Sequence, residues 1–261
     1  MNRPGRLACL FVLAAMAMGA SGFGSAQASP GAIELERLAR AYPQSVARVA
    51  DDAVVMRSGA TMPLGALHES EPFEQRLEHA SLGDQMSMLY PAGANYPTPT
   101  GENDPGRLRN IPFFEAMYGA SEAEVRSHLV KVRWLNRETL QVTSVNGVDK
   151  ALARVSAALL RLPARILHCA HPSAGTFTYR PVAGTNYLSA HSFGIAIDLN
   201  LICSDYWFWD KQSSADGAFP YRNRMPLEIV TAFEREGFIW GGKWAHYDTM
   251  HFEYRPELLV N

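Results

Sequence analysis

The chain has 261 residues, 47% of them hydrophobic and 19% charged. That composition excludes a disordered or collagen-like polymer and suffices for a full core. Lysine and arginine number 24 against 26 aspartates and glutamates, and the pI is near 6.4. No global basic field exists, so nucleic acid is not an expected partner.

Arg3 and Arg6 open an uncharged apolar run from Leu7 to Ala20, and Ala26-Gln27-Ala28 sets small residues around a cleavage point. This pattern predicts a secretory signal peptide over residues 1–28, cut before Ser29. The run is shorter than the roughly 20 apolar residues that span a bilayer, so no stable membrane anchor is expected once it is removed. Cys169 and Cys203 then remain, and an even pair in an exported chain predicts a disulfide between them, with two buried free thiols as the alternative. The protein is expected to be periplasmic or otherwise secreted.

Residues 29–110 read as an N-terminal extension of unclear fold. Ile33 to Ala41 has the pattern of a short helix, and Ala53 to Arg57 that of a strand before a Ser58-Gly59 turn. Five prolines between Pro91 and Pro112, with Gly93, Gly101 and Gly106 among them, mark a loop or linker. The stronger signals lie in residues 111–261. Ser121 with Glu124 three residues on predicts a capping box. Leu129 to Leu135 fits either a helix end or a strand. Thr139 to Val145 reads as a strand before an Asn146-Gly147 turn, and Val148 to Leu160 as a helix carrying Leu152, Val155 and Leu159 on one face.

Short strands are expected over Arg165–Cys169, Thr176–Arg180 and Ile195–Asn200. An insertion rich in aromatics follows, including Tyr206, Trp207, Trp209 and Phe219. A helix over Pro226–Glu236 and a strand over His251–Arg255 close the chain. Short strands mixed with a few helices predict an α+β fold.

His191-Ser192-Phe193-Gly194-Ile195-Ala196-Ile197-Asp198 is the most informative run. Strand alternation sends Ile195, Ile197 and Leu199 to one face, and Ala196, Asp198 and Asn200 to the other. A turn at Gly194 can fold the His191 ring back over Asp198, and an imidazole with a carboxylate suits zinc. Asp248-Thr249-Met250-His251-Phe252-Glu253 supplies a third ligand in His251. Residues three apart in a regular strand face opposite sides, so Asp248 and His251 meet at one site only across a turn or bulge. Asp248 would then stand near an open coordination position as a general base. His246 competes with His251 as ligand and is expected instead beside the ligands or at the substrate rim. His168 and His171, which flank Cys169, are read as structural.

Ser189-x-His191-x-x-Gly194-x-Ala196-x-Asp198, together with Asp248-x-x-His251-Phe252-Glu253, resembles the zinc peptidases of bacterial peptidoglycan. That family includes D-alanyl-D-alanine carboxypeptidases, vancomycin-resistance dipeptidases and L-alanyl-D-glutamate endopeptidases. The resemblance covers about Val148 to Pro256. It implies a small antiparallel sheet with flanking helices, as in DD-peptidases and Hedgehog domains. It also implies one Zn2+ per chain on His191, Asp198 and His251, with water in the fourth position. Asp248 would be the base, Arg180 the arginine for the substrate carbonyl or carboxylate, and peptidoglycan stem peptides the partners. Ser189, His246 and Glu253 would support the ligands or meet substrate. Many carboxypeptidase members carry Glu where this chain has Asp248. Asp248 and the Trp240-Gly241-Gly242-x-Trp244 run resemble the endopeptidase branch, which favours cleavage between L-Ala and D-Glu over release of terminal D-Ala.

Two rival readings come from other mechanisms or classes. A serine peptidase is disfavoured because the chain has neither Ser-x-x-Lys nor Gly-x-Ser-x-Gly. A non-catalytic zinc domain that binds the wall would have no need of an acid three residues before the last ligand.

Overall fold

The computed structural model describes residue 1 and residues 30–182, 184–214 and 217–259. Apart from Met1, the expected signal peptide lies outside the described residues. The first helix, α1 (Pro30–Ala41), buries Leu35 and Leu38. A three-stranded antiparallel meander follows: β1 (Val46–Ala50), β2 (Ala53–Met56) and β3 (Thr61–Pro63). Two short helices, α2 (Phe73–His79) and α3 (Leu82–Ser87), come next. α3 is held by a capping box between Ser81 and Asp84. No helix or strand occurs between residues 88 and 110, as the prolines predict.

Asn110 caps α4 (Ile111–Tyr118), its side chain accepting from the Phe113 N–H at 2.9 Å. Ser121 caps α5 (Glu122–His128). The Glu124 carboxylate reaches the Ala120 N–H at 2.8 Å instead of that of Ser121, so only half of the expected box forms. The ambiguous stretch after it is a strand: β4 (Leu129–Trp134) pairs antiparallel with β5 (Glu138–Thr143). Helix α6 (Val148–Leu159) buries Leu152, Val155 and Leu159, as its spacing predicts.

Two expected strands are corrected. Arg165–Cys169 contains a single helical turn, α7 (Ala164–Leu167), because Pro163 accepts the Ile166 N–H at 2.8 Å and starts a helix. Thr176–Arg180 runs beside the irregular turn at residues 190–193, so its partners are scattered. The Thr178 N–H reaches the His191 carbonyl and the Arg180 N–H reaches the Ser192 hydroxyl, which leaves no ladder. The third expected strand shortens to β6 (Ala196–Asp198). After α8 (Trp207–Ser213) and α9 (Leu227–Glu234), the strands β7 (Phe238–Trp240) and β8 (His251–Tyr254) complete an antiparallel sheet of order β6-β8-β7.

The fold is α+β. One hydrophobic cluster runs from Leu35 and Val54 through Phe113, Trp134 and Leu152 to Ile197, Phe233 and Phe252. Residues 30–110 and 111–259 both contribute to it. Cys169 and Cys203 form a disulfide. Among the described residues no helix is long and apolar enough to cross a membrane.

Candidate metal centre

The register of β6 and β8 sets Asp198 directly opposite His251. His191 comes from the 3₁₀ turn Ala190–Phe193, which Gly194 ends at φ 67°. Only glycine fits there. A Cβ would lie 2.7 Å from the Leu129 side chain and 3.1 Å from the Thr143 nitrogen, in a backbone region L side chains rarely adopt. The turn returns His191 over β6, as the Gly194 reading expects.

Three atoms meet in a triangle. His191 Nε2 lies 3.2 Å from Asp198 Oδ1 and 3.2 Å from His251 Nδ1, and the last two lie 3.0 Å apart. Zinc bonds of about 2.0–2.1 Å in a tetrahedron separate ligand atoms by about 3.3 Å, so the triangle has the size of one tetrahedral face. The other cluster of metal-ligating types among the described residues, His168 with Cys169 and Cys203, has its sulfurs committed to the disulfide.

The outer hydrogen bonds leave the right nitrogens free. His191 Nδ1–H donates to the Thr176 carbonyl, which leaves Nε2 as a lone-pair donor. His251 Nε2–H donates to Glu253 Oε2 at 3.1 Å, which leaves Nδ1. Glu253 is fully buried and is held in turn by Arg109 at 3.2 Å and Arg255 at 2.8 Å. Such partners fix ring orientation and raise ligand basicity. Burial opposes a charge on His251, yet its bonds to Asp198 and Glu253 hold its pKa up at about 10. The carboxylates of Asp198 and Glu253 thus favour positive charge at Nδ1, whether a proton or a cation fills that position.

Asp248 joins this cluster across the expected turn, whose closing bond runs from the His251 N–H to the Asp248 carbonyl at 3.2 Å. Its Oδ1 is buried and has no hydrogen-bond partner among the described residues. Burial first, and then the charge of Asp198, push its carboxyl up to about 6. The Gly-Gly run sets the position of this turn. The Asp248 N–H donates to the Gly241 carbonyl at 3.0 Å, and a Cβ on Gly241 would lie 2.6 Å from the Asp248 carbonyl oxygen. A Cβ on Gly242 would strike the Trp240 ring at 2.1 Å.

These groups open into a cleft of about 270 Å³ that is also lined by Arg107, Arg109, Arg180, Tyr187, Tyr206, Trp209 and Trp244. Arg180 is at its exposed edge, bonded to the Pro181 carbonyl at 3.1 Å. Ser189 also lines it, and its hydroxyl caps the 191 turn by accepting from the His191 N–H. His246 does not line the cleft. Its Nδ1 pairs with the buried Asp104 at 2.7 Å, and its ring packs on Trp207, Phe219 and Phe73. Trp207 thus belongs to an aromatic packing cluster, while Tyr206 and Trp209 face the cleft. The sequence reading missed Arg107, Arg109, Tyr187 and Asp104. Two charged residues flanking Leu108 in a proline-rich loop carry no periodic signal. The only hint was that a linker rarely spends two arginines and an apolar residue so close together.

The fold and cluster define a class: a small α+β protein whose two histidines and two aspartates gather at one end of an antiparallel sheet. Residues 183–254 match the model of a family described as D-alanyl-D-alanine carboxypeptidase, which supports a zinc peptidoglycan peptidase family and a hydrolase acting on peptides. The match spans His191, Asp198, Asp248 and His251 and leaves residues 30–182 outside it. No curated protein and no solved structure matches the chain.

Proposed function

We propose that this protein is an exported zinc metallopeptidase that hydrolyses peptidoglycan stem peptides, with one zinc held by His191, Asp198 and His251. The carrying observation is Asp248, whose buried Oδ1 lacks a partner among the described residues, in the same cleft as three atoms spaced as one tetrahedral face. When bound, zinc would polarise the scissile carbonyl and acidify the attacking water.

The chain's own groups do the rest. Asp248 takes one proton from water as its oxygen bonds to the carbonyl carbon. It then hands that proton to the amine as the C–N bond breaks. Arg180 lines the cleft edge, and its guanidinium would stabilise the charge that the carbonyl oxygen gains. Glu253 and the Thr176 carbonyl keep both imidazoles in the ligating tautomer.

The bond favoured is that between L-Ala and D-Glu, on the likeness of Asp248 and the Trp240–Trp244 run to the endopeptidase branch. The second reading is removal of terminal D-Ala, favoured by the description of the matching family. A wall-binding role without catalysis leaves the buried Asp248 without a task. Mass analysis of muropeptides after incubation tests the choice. Products cut between L-Ala and D-Glu support the endopeptidase, and release of D-Ala alone supports the carboxypeptidase. Intact muropeptides would leave the binding role.

A further inference from the structure

We infer that Arg107 receives the free α-carboxylate of the residue that leaves, and so makes the enzyme selective for stem peptides carrying that charge; the inference rests on the peptidase reading of the cleft. Arg107 lies in the irregular segment before α4, outside residues 183–254 that match the family. Its guanidinium sits 4.6 Å from the centroid of the Trp244 ring, and one Nη donates to the His246 carbonyl at 2.8 Å. The Nε–H is buried with no hydrogen-bond partner among the described residues, and the nearest carboxylate oxygen, on Asp104, is 3.5 Å away. Asp104 and the His246 carbonyl together hold the guanidinium in place on the Trp244 ring.

The other two arginines of the cleft are placed differently. Arg109 is spent on Glu253 and the Gly106 carbonyl. Arg180 sits at the exposed edge. Arg107 lines the cleft together with Asp248, and its Nη is anchored on the carbonyl of His246, two residues before the base. Burial works against its charge, but Asp104, Tyr187 and Asp248 outweigh burial and raise its pKa, and Arg107 in turn is among the charges that pull Asp248 down.

Reaction geometry gives this position a meaning. Asp248 must reach the amine that leaves. In both candidate substrates the residue bearing that amine carries a free α-carboxylate on the same Cα. D-Glu does so because the stem continues through its side chain, and terminal D-Ala does so because the chain ends there. The carboxylate is therefore two bonds from the nitrogen that Asp248 protonates, and its receptor must flank Asp248. Arg107 lines the same cleft and is held on the carbonyl of His246, two residues before Asp248, and a planar guanidinium braced on a tryptophan face suits a carboxylate.

The test compares two synthetic stem peptides that differ only in whether the leaving residue bears an α-carboxylate or its primary amide. The zinc-loaded wild type is expected to favour the acid by about 10–100-fold in kcat/KM, the usual worth of a hydrogen bond to a charged group. Arg107→Gln should erase that preference, chiefly by raising KM for the acid, with zinc content at one per chain. Arg107→Lys should restore part of it. Equal use of acid and amide by the wild type overturns the inference without relying on any variant. So does an Arg107→Gln protein that keeps the preference, or an Arg180→Gln protein that alone loses it. Failure of the wild type to cleave either peptide would instead overturn the peptidase reading, and the inference with it.

Discussion

Asp198 and His251 face each other across two antiparallel strands, with Oδ1 and Nδ1 3.0 Å apart. Asp248 stands one turn before His251, and its buried Oδ1 has no hydrogen-bond partner among the described residues. One short segment thus supplies both a ligand position and a base position, and substitutions should separate them. Asp248→Asn should keep its zinc and its fold but lose hydrolysis by roughly 10²–10⁴-fold. His251→Ala should lose zinc as well, because a ligand is gone. Metal content and turnover of the two variants, measured side by side, decide this. Wild-type turnover in Asp248→Asn contradicts the assignment.

The pH dependence follows from the same carboxylate. A base must be ionised, and burial with the Asp198 charge has pushed Asp248 up to about 6. Hydrolysis should therefore fall on the acid side as Asp248 protonates, with the limb below about 6 because a bound dication favours the carboxylate. A kcat/KM profile that stays flat below about pH 4, the ordinary aspartate range, would contradict the role.

Glu253 predicts a stability effect. Burial opposes its charge, but Arg109, His251 and Arg255 outweigh burial and hold its pKa well below the usual value. A depressed carboxylate contributes stability above its unfolded pKa of about 4.3, and that contribution is lost as pH falls towards the folded value. Glu253→Gln leaves Arg109 and Arg255 short of a partner in the interior and should cost about 3–5 kcal/mol near neutrality. Denaturant titrations near pH 7 and pH 4 should show the variant's deficit shrinking in acid. An undiminished deficit would contradict the electrostatic account.

The Cys169–Cys203 disulfide closes a separation of 34 residues that includes His191 and Asp198. Loop-closure entropy gives it about 3–4 kcal/mol. Cys169→Ser with Cys203→Ser should lower stability by that order in denaturant titrations, and an unchanged midpoint would show the bridge to be idle.

The centre was legible in the sequence because its parts are local. The Gly194 turn, the alternation along β6 and the 248–251 spacing each act within a few residues. The cleft wall was less legible. Arg107 reaches the site through tertiary placement alone, and Asp104 is tied to His246 across 142 positions. The misread strands have the same origin. Residues 165–169 and 176–180 have β-compatible side chains, but Pro163 and the 191 turn decide where their hydrogen bonds go. The first 50 or so residues of the fold gave only local hints, because their link to the site runs through long-range bonds such as Tyr42 to Glu257 and Gln85 to Glu257. The Asn110–Phe113 cap likewise was not read, since Asn110 closes a proline-rich loop before a helix with no marked apolar stripe.

The most direct test of the central claim is hydrolysis of muropeptides by protein purified without added zinc, assayed before and after chelation with metal counted in the same samples. The account predicts one zinc per chain, activity that disappears with the metal, and recovery when zinc alone is returned. Protein that lacks stoichiometric zinc and cleaves equally well in chelator would contradict it.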